Sequence, residues 1–237
     1  MARHIIAFAR RFRQPMALKR AYNMASHPAP SKALELAMRD LMAHSVQNVA
    51  IVTTRMEEEA HEHGGSTPPL YHGATISSFS SVAMHPYPTV AFSLRLPSRL
   101  AVALRITKNR HCYPAIPHMT INFLSLLQAG LAHKFSRPDL FPSPFSNTRF
   151  ALTKEGQPLL HNSLGTISCT VLRSFRLDFH EPQGFEEGTS EMFIARVVRI
   201  EQKKDIECIG SGLNAPLVYY RRLYGTVDME SLTQGKL

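Results

Sequence analysis

Apolar residues between positions 32 and 44 recur at helical spacing. Leu34, Met38, Leu41 and Met42 fall at i, i+4, i+7 and i+8. Ser31 precedes them and can cap the first turn. The pattern predicts a helix that lays one apolar face on the body of the protein. From Val46 the period changes. "VQNVAIVTT" (46–54) is β-branched and nearly continuous in apolar character, which predicts a buried strand. "RMEEEAHEHGGSTPP" (55–69) is polar, carries Gly-Gly and Pro-Pro, and reads as an exposed loop. Two further strands follow, "LYHGATIS" (70–77) and "PTVAFSL" (88–94). "PSRLAVALRI" (97–106) opens on Pro97 and reads as a short helix.

The second half adds further strands and one more helix. "HMTINFL" (118–124) is a strand, and "SLLQAGLAHKFS" (125–136) a helix with Ser125 as its N-cap. "RPDLFPSPFSNTRF" (137–150) holds three prolines and reads as a covering loop. "PLLHNSLGTISCTVLRSFRLD" (158–178) is rich in strand formers and interrupted at Gly165. "EMFIARVVRIEQ" (191–202) alternates as a strand, and "APLVYYRRLYG" (215–225) ends the fold. Strands follow strands rather than alternating with helices. That order predicts a mainly β protein, an antiparallel barrel or sandwich with peripheral short helices.

Composition agrees with a globular chain, at 44% apolar and 19% charged residues. No stretch approaches the roughly 20 apolar residues of a membrane helix. Charge changes the picture more. Arg3, Arg10, Arg11, Arg13, Lys19 and Arg20 lie in residues 1–30, which contain no Asp or Glu. Subtracting those six from the net charge of +9 leaves +3 for the rest. The high pI is therefore poor evidence for nucleic-acid binding. An Arg-rich, acid-free segment with interspersed apolar residues has the composition of a mitochondrial transit peptide. "IIAFARRF" can form a basic amphipathic helix, and "RAYN" (20–23) suits cleavage after Tyr22. Residues 1–30 are expected to be a matrix-targeting leader and linker, and 31–237 the folded domain.

Several chemistries find no support. No GxGxxG follows a strand, and neither GxxxxGK[ST] nor GxSxG occurs. Cys112, Cys169 and Cys208 are spaced 57 and 39 residues apart, which matches no CxxC metal pattern; free thiols are expected. His61 and His63 stand among Glu57, Glu58, Glu59 and Glu62, which reads as a solvated loop tip rather than a metal site.

One stretch resists the plain reading. "HGATISSFSSV" ends a strand with five hydroxyls, Thr75, Ser77, Ser78, Ser80 and Ser81. A buried hydroxyl without a partner costs about 1–3 kcal/mol. Gly73 beside them would allow a close approach by ligand or backbone. "LPSRL" supplies Ser98, Arg99 and a helix N-terminus, which together suit a phosphate. A planar ligand bearing a phosphate would satisfy both stretches; an ordinary edge that bonds water is the alternative.

Taken together, the motifs resemble the flavin reductase-like family with its FMN-binding split-barrel fold. The resemblance runs over roughly 32–225, through "AMRDLMAHSVQNVAIVTT", "HGATISSFSSVAMHPYPTVAFSLRLPS", "INFLSLLQAGLAHKFS", "RFALTKEGQPLLHNSLGTISCTV" and "PLVYYRRLYG". It implies an oxidoreductase that passes hydride from NAD(P)H to flavin, with FMN as cofactor (FAD as the alternative) in a groove at a homodimer interface. Thr75, Ser77, Ser78 and Phe79 resemble the residues that contact the isoalloxazine edge and ribityl chain. Ser98 and Arg99 resemble the phosphate-binding pair, with Leu100 where the family often has a hydroxyl. Asn122 and Phe123 resemble the strand lining the flavin. Val49 and Thr53 are placed on a strand facing that groove, and Arg149 and Phe150 resemble an Arg-Phe pair near the ligand. The resemblance also exposes a departure. Many active reductases carry Asp-His before the strand here written "MFIARVV", and this chain has Thr189 and Ser190. Serine cannot stack or carry an imidazolium charge. A non-enzymatic flavin-binding or assembly component of a mitochondrial complex is thus the second expectation.

Overall fold

The computed structural model describes residues 32–56, 70–108, 116–177, 189–201 and 215–227. It divides into two units, Met1–Arg39 and Asp40–Leu237. Residues 32–39 of the first unit begin α1 (Lys32–Ala43), where Arg39 and Glu35 form an i,i+4 ion pair at 2.7 Å. No residue of α1 is buried. Leu34, Met38, Leu41 and Met42 are 63%, 53%, 69% and 40% exposed, against the expectation of a covered apolar face.

The second unit is built on a seven-stranded antiparallel sheet. Its strands are β2 (Ala50–Arg55), β3 (Tyr71–Ile76), β4 (Ser80–Ala83), β5 (Thr89–Arg95), β6 (Met119–Phe123), β9 (Gly165–Arg176) and β10 (Ser190–Glu201), in the order β3-β2-β6-β9-β10-β5-β4. Apart from this sheet, β1 (Gln47–Asn48) pairs with β11 (Val218–Tyr220) and through it with β12 (Leu223–Gly225), and β7 (Phe150–Leu152) and β8 (Pro158–Leu160) form a hairpin. The strand expected over 46–54 is thus broken at Val49, and β4 lies within the hydroxyl-rich stretch.

Two apolar clusters sit on opposite faces of the sheet. Strand alternation sends Ala50 and Val52 to the inner face with Met119, Ile121, Phe92 and Phe193. The rings of Phe92 and Phe193, which are register partners, stack at 5.4 Å. Helix α2 (Arg99–Lys108) packs into this inner cluster through Leu100, Ala101 and Leu104. The outer cluster gathers Val49, Ile51, Leu124 and Leu160 under Ala132 and Phe135 of α3 (Ala129–Ser136). Strand β2 is covered on both faces, which explains its continuous apolar run. Cys169 is fully buried, and burial pushes its thiol up to about 12; it is a core thiol, as expected of it. Cys112, Cys208, His61 and His63 lie outside the described residues.

A polar seam fastens the β7–β8 hairpin to the sheet. The hydroxyls of Thr53 and Thr120 lie 2.6 Å apart, so one donates to the other, and both stand within hydrogen-bond reach of the Pro158 carbonyl, at 2.9 and 2.6 Å. Thr53 is fully buried here and Val49 lies in the outer cluster, so neither lines a groove as the resemblance implied. Farther along the hairpin, the Arg199 guanidinium holds Glu155 through two hydrogen bonds of 2.9 and 2.7 Å. That contact keeps the Glu155 carboxyl down at about 2.

Gly73 has a structural reason distinct from ligand access. A Cβ at this position would meet the Phe135 ring at 2.8 Å and the Val52 carbonyl oxygen at 3.0 Å. The missing side chain lets α3 lie directly on β3. Gly73→Ala is expected to destabilise the protein by about 1–3 kcal/mol, the usual cost of overpacking. A urea midpoint equal to that of the unmodified protein would refute this packing role.

Candidate functional site

The hydroxyl-rich corner between β3 and β4 can be followed group by group. Thr75 points outward beneath α3 and donates to the carbonyl of Ala132 at 2.7 Å. Beyond Ile76 the chain turns, and Ser78 reaches the facing strand. Its hydroxyl accepts the backbone N–H of Ser93 at 2.9 Å and contacts the Ser93 carbonyl at 3.3 Å. Ser80 turns its hydroxyl to the neighbouring Ser81 carbonyl. Ser77 is exposed. Phe79 packs against the inner cluster and meets Phe123 edge to face at 5.2 Å. Ala50 pairs with both Ile76 and Phe123, so the corner and the end of β6 share one end of the sheet.

Ser78 lies on the lead-in to β4 and falls opposite Ser93 when the β4–β5 register, in which Ser80 pairs with Ala91, is continued, so this contact extends that pairing. β3 is an edge strand, and it approaches β5 without joining it. The sheet is therefore split along β3 and β5. Following β5 away from Ser93 leads through Arg95 to Ser98 and Arg99 at the start of α2. Ser98 caps the helix by accepting the Ala101 N–H at 3.2 Å. The N–H groups of Arg99 and Leu100 have no acceptor among the described residues. Arg99 is exposed, and its charge faces His72 across the split. Burial and that charge both hold the His72 imidazole below its ordinary value. The His72 Nε2 is buried without a hydrogen-bond partner.

The first residues of β10 adjoin the same end of β5. Leu96 N–H donates to the Thr189 carbonyl at 2.8 Å, and Ser190 pairs with Arg95. Directly paired residues share a face. Ser190 and Arg95 therefore stand on the outer face, followed by Met192, Ser93 and Phe175 in one cross-strand row. Phe175 is 49% exposed. The result is a strip of hydroxyls, two arginines and apolar side chains between the β3–β4 corner and the start of α2. Such a strip can contact a planar apolar ring and a phosphate together.

The sequence-derived residues divide accordingly. Ser77, Ser78 and Phe79 stand at one end of the split, and Ser98 and Arg99 at the other. Phe123 supports Phe79 from below. Thr75 and Asn122 spend their polar groups inside the protein. Asn122 is fully buried; its Oδ1 accepts the Leu160 N–H and the Thr166 hydroxyl, both at 2.9 Å, and its Nδ2 donates to the Ile51 carbonyl at 3.2 Å. Phe150 packs edge-on against Tyr71 and Phe145 in the aromatic cover of the outer cluster. Sequence reasoning did not single out Ser93, His72 or Arg95. The strict alternation of "TVAFSLR" was the one signal that could have found Ser93 and Arg95. A separate open groove of about 480 Å³, lined by Val46, Val218, Tyr220 and Leu223 among others, lies on the three-stranded sheet and includes none of these residues.

Comparison with known proteins places this arrangement. Residues 42–228 match the family described as "Flavin reductase like domain". The chain is 30% identical over 187 residues to the reductase component of the 4-nitrophenol 4-monooxygenase/4-nitrocatechol 2-monooxygenase of Rhodococcus opacus, covering 79% of this chain and 78% of that one. Among solved structures, it resembles nitrilotriacetate monooxygenase component B from Mycobacterium thermoresistibile, with a TM-score of 0.58, 22% identity and coverage of 83% and 88%. The NADH:FAD oxidoreductase of Streptomyces globisporus, solved with NAD and FAD fragments, gives the same TM-score at 18% identity, covering 87% and 99%.

The placement of Asn122 carries its own prediction. Asn122→Ala would strand the buried Leu160 N–H and Thr166 hydroxyl, at about 1–3 kcal/mol for each group. A loss of several kcal/mol in denaturant unfolding is expected. Stability within 0.5 kcal/mol or so of the parent would show that these bonds do not hold β8 to β6.

Proposed function

The chain belongs to the flavin reductase like family, and from that membership we propose that it is an NAD(P)H-dependent oxidoreductase that reduces a bound flavin. FMN is the proposed flavin, with FAD as the alternative. The observation that carries the reading is the split itself. Hydroxyls gather at its β3–β4 corner, and a helix start with open N–H groups and Arg99 stands at its far end.

The residues present fit such a ligand. The unsatisfied N–H groups at the start of α2 and the Arg99 guanidinium would hold the phosphate end. Ser77 and Ser78 would face the ring and ribityl end, with Phe79 closing the corner and Phe123 holding that ring in place. Thr75 and Asn122 would act from below, the first by fixing β3 to α3 and the second by fixing β6. The flavin, when bound, supplies the redox chemistry by accepting hydride from a nicotinamide. What remains for the protein is positioning and exclusion of water, which accounts for the absence of a nucleophile motif.

Ser190 favours a second reading. It stands on the outer strip beside Arg95, at the position where the resemblance implies a histidine in many active reductases. In that reading the chain holds flavin without accepting hydride from NADH or NADPH. One experiment separates the two. Purified protein is titrated with FMN and FAD, then mixed with NADH or NADPH under anaerobic conditions. Bleaching of the flavin absorbance with turnover of order 1 s⁻¹ is expected of a working reductase. Flavin that binds but is not bleached by either donor would leave only the second reading. Arg99→Ala is expected to weaken FMN binding by about 1.5–3 kcal/mol, roughly ten- to a hundredfold. An unchanged affinity would remove the phosphate from the start of α2.

We further propose that residues 1–30 direct the protein to the mitochondrial matrix. Their six basic and no acidic residues support this reading. Fused to a fluorescent protein, the segment is expected to sort the fusion to mitochondria. Replacing Arg10, Arg11 and Arg13 by Glu should abolish that sorting, and diffuse fluorescence of the unaltered fusion would refute it.

A further inference from the structure

Glu191 is 2% exposed and directly follows Ser190. Alternation turns it to the inner face of the sheet, where its neighbours along β10 are Phe193 and Ala195. A carboxylate in that position is costly unless another charge holds it. Its partner is on α2. The Arg105 Nε lies 3.1 Å from Glu191 Oε2. The same Nε donates to the Ala101 carbonyl at 3.3 Å, one helical turn back. Oε2 consequently receives an ionic contact rather than an aligned hydrogen bond. Arg176 is the cross-strand neighbour of Glu191 on β9.

These contacts form a chain that ends at the start of α2. Glu191 holds Arg105, Arg105 holds the Ala101 carbonyl, and the Ala101 N–H is held by the Ser98 hydroxyl. Packing of Leu100, Ala101 and Leu104 is apolar and leaves sliding and rotation weakly resisted. An ion pair fixed to one point of β10 resists both. We infer that Glu191 is a positioning residue for the phosphate end of the flavin site, acting through Arg105 on the orientation of α2. The inference rests on the proposed reading that the start of α2 takes the phosphate.

The sign of the expected effect makes it testable. A carboxylate near a phosphate site repels the anion, so removing its charge should strengthen phosphate binding if only Coulomb forces acted. Positioning predicts the reverse. In Glu191→Gln, which keeps shape and loses charge, FMN affinity is expected to fall by about fivefold or more, since small misplacements of binding groups are expensive. Riboflavin, which lacks the phosphate, is expected to bind the variant within about twofold of the parent, because no contact to the phosphate is at stake. Both are measured by flavin fluorescence titration on the full chain. Tighter FMN binding, an unchanged FMN-to-riboflavin ratio, or an equal loss for both ligands would each overturn the inference. Equal affinity of the unmodified protein for FMN and riboflavin would overturn the phosphate reading, and the inference with it. Arg105→Lys provides the second variant, at a half-exposed position that keeps its charge but loses the fork. It is expected to lose the FMN preference in the same selective way. Should Glu191→Gln fail to fold, an unaltered preference in Arg105→Lys overturns the inference.

Discussion

The arrangement depends on a short helix buried against the inner face of a curled sheet. Leu100, Ala101 and Leu104 of α2 are 3%, 0% and 0% exposed, and they complete a core that the strands alone would leave open. A sheet of seven strands wrapped on such a filling does not close. β3 and β5 come near each other without pairing; β3 is one edge of the sheet, and the short edge strand β4 pairs with β5 only over Thr89–Ala91. Open strand edges are usually liabilities that proteins cover or charge. Here the gap ends on one side at the turn from β3 into β4, where Ser78 meets Ser93 in line with the β4–β5 pairing, and is bordered at the other by Arg99 and the helix start. The element that fills the core also supplies the donors at the mouth of the split, so stability and binding draw on one piece of structure.

This explains why hydroxyls crowd one corner without contradicting the rule that buried polar groups are paired. They do three different jobs. Thr75 ties β3 to α3, Ser78 extends the β4–β5 pairing, and Ser77 is left to solvent or ligand. The polar groups deeper in the sheet are wholly internal. Thr53, Thr120 and Asn122 bind the β7–β8 hairpin across the outer face, where an apolar layer would have packed without fixing its register. Polar residues thus serve specificity of the fold on one side of β2 and are available for recognition at its end.

Legibility in the sequence followed the same division. Strands with regular burial, such as β2, β5, β6 and β10, were readable because covering both faces or one face leaves a clear period. The antiparallel mainly β class followed from their succession. The corner and the start of α2 drew attention because Ser98, Arg99 and the serines are chemically conspicuous. Other features left little or no local trace. Gly73 was legible as a close approach by ligand or backbone, and the Val52 carbonyl is close, but the nearest neighbour is the ring of Phe135, sixty-two positions later. Val49 and Thr53 looked groove-facing, yet the covering hairpin and α3 come from distant sequence. The turn between β11 and β12 puts Arg221 and Arg222 at φ of 48° and 64°, a conformation that sequence habits assign to Gly or Asn. β4 was hidden because an edge strand of serines lacks an apolar face. In α1 the helix itself was legible, but its period alone could not say what its apolar face meets.

Register decides what the departure at positions 189 and 190 means. A one-residue slip of β10 against β5 would exchange the faces of every side chain. It would place Glu191 on the outer strip and Ser190 in the core. The stacked pair of Phe92 and Phe193 excludes that slip, because moving either ring outward would empty the centre of the inner cluster. Ser190 is therefore the residue that faces the split, and Glu191 the one that faces α2. A hydroxyl thus stands on the outer face, and a carboxylate on the inner face, where it meets Arg105 of α2. Two adjacent residues divide between the two faces of one strand, and the same hydrophobic contact holds both in place.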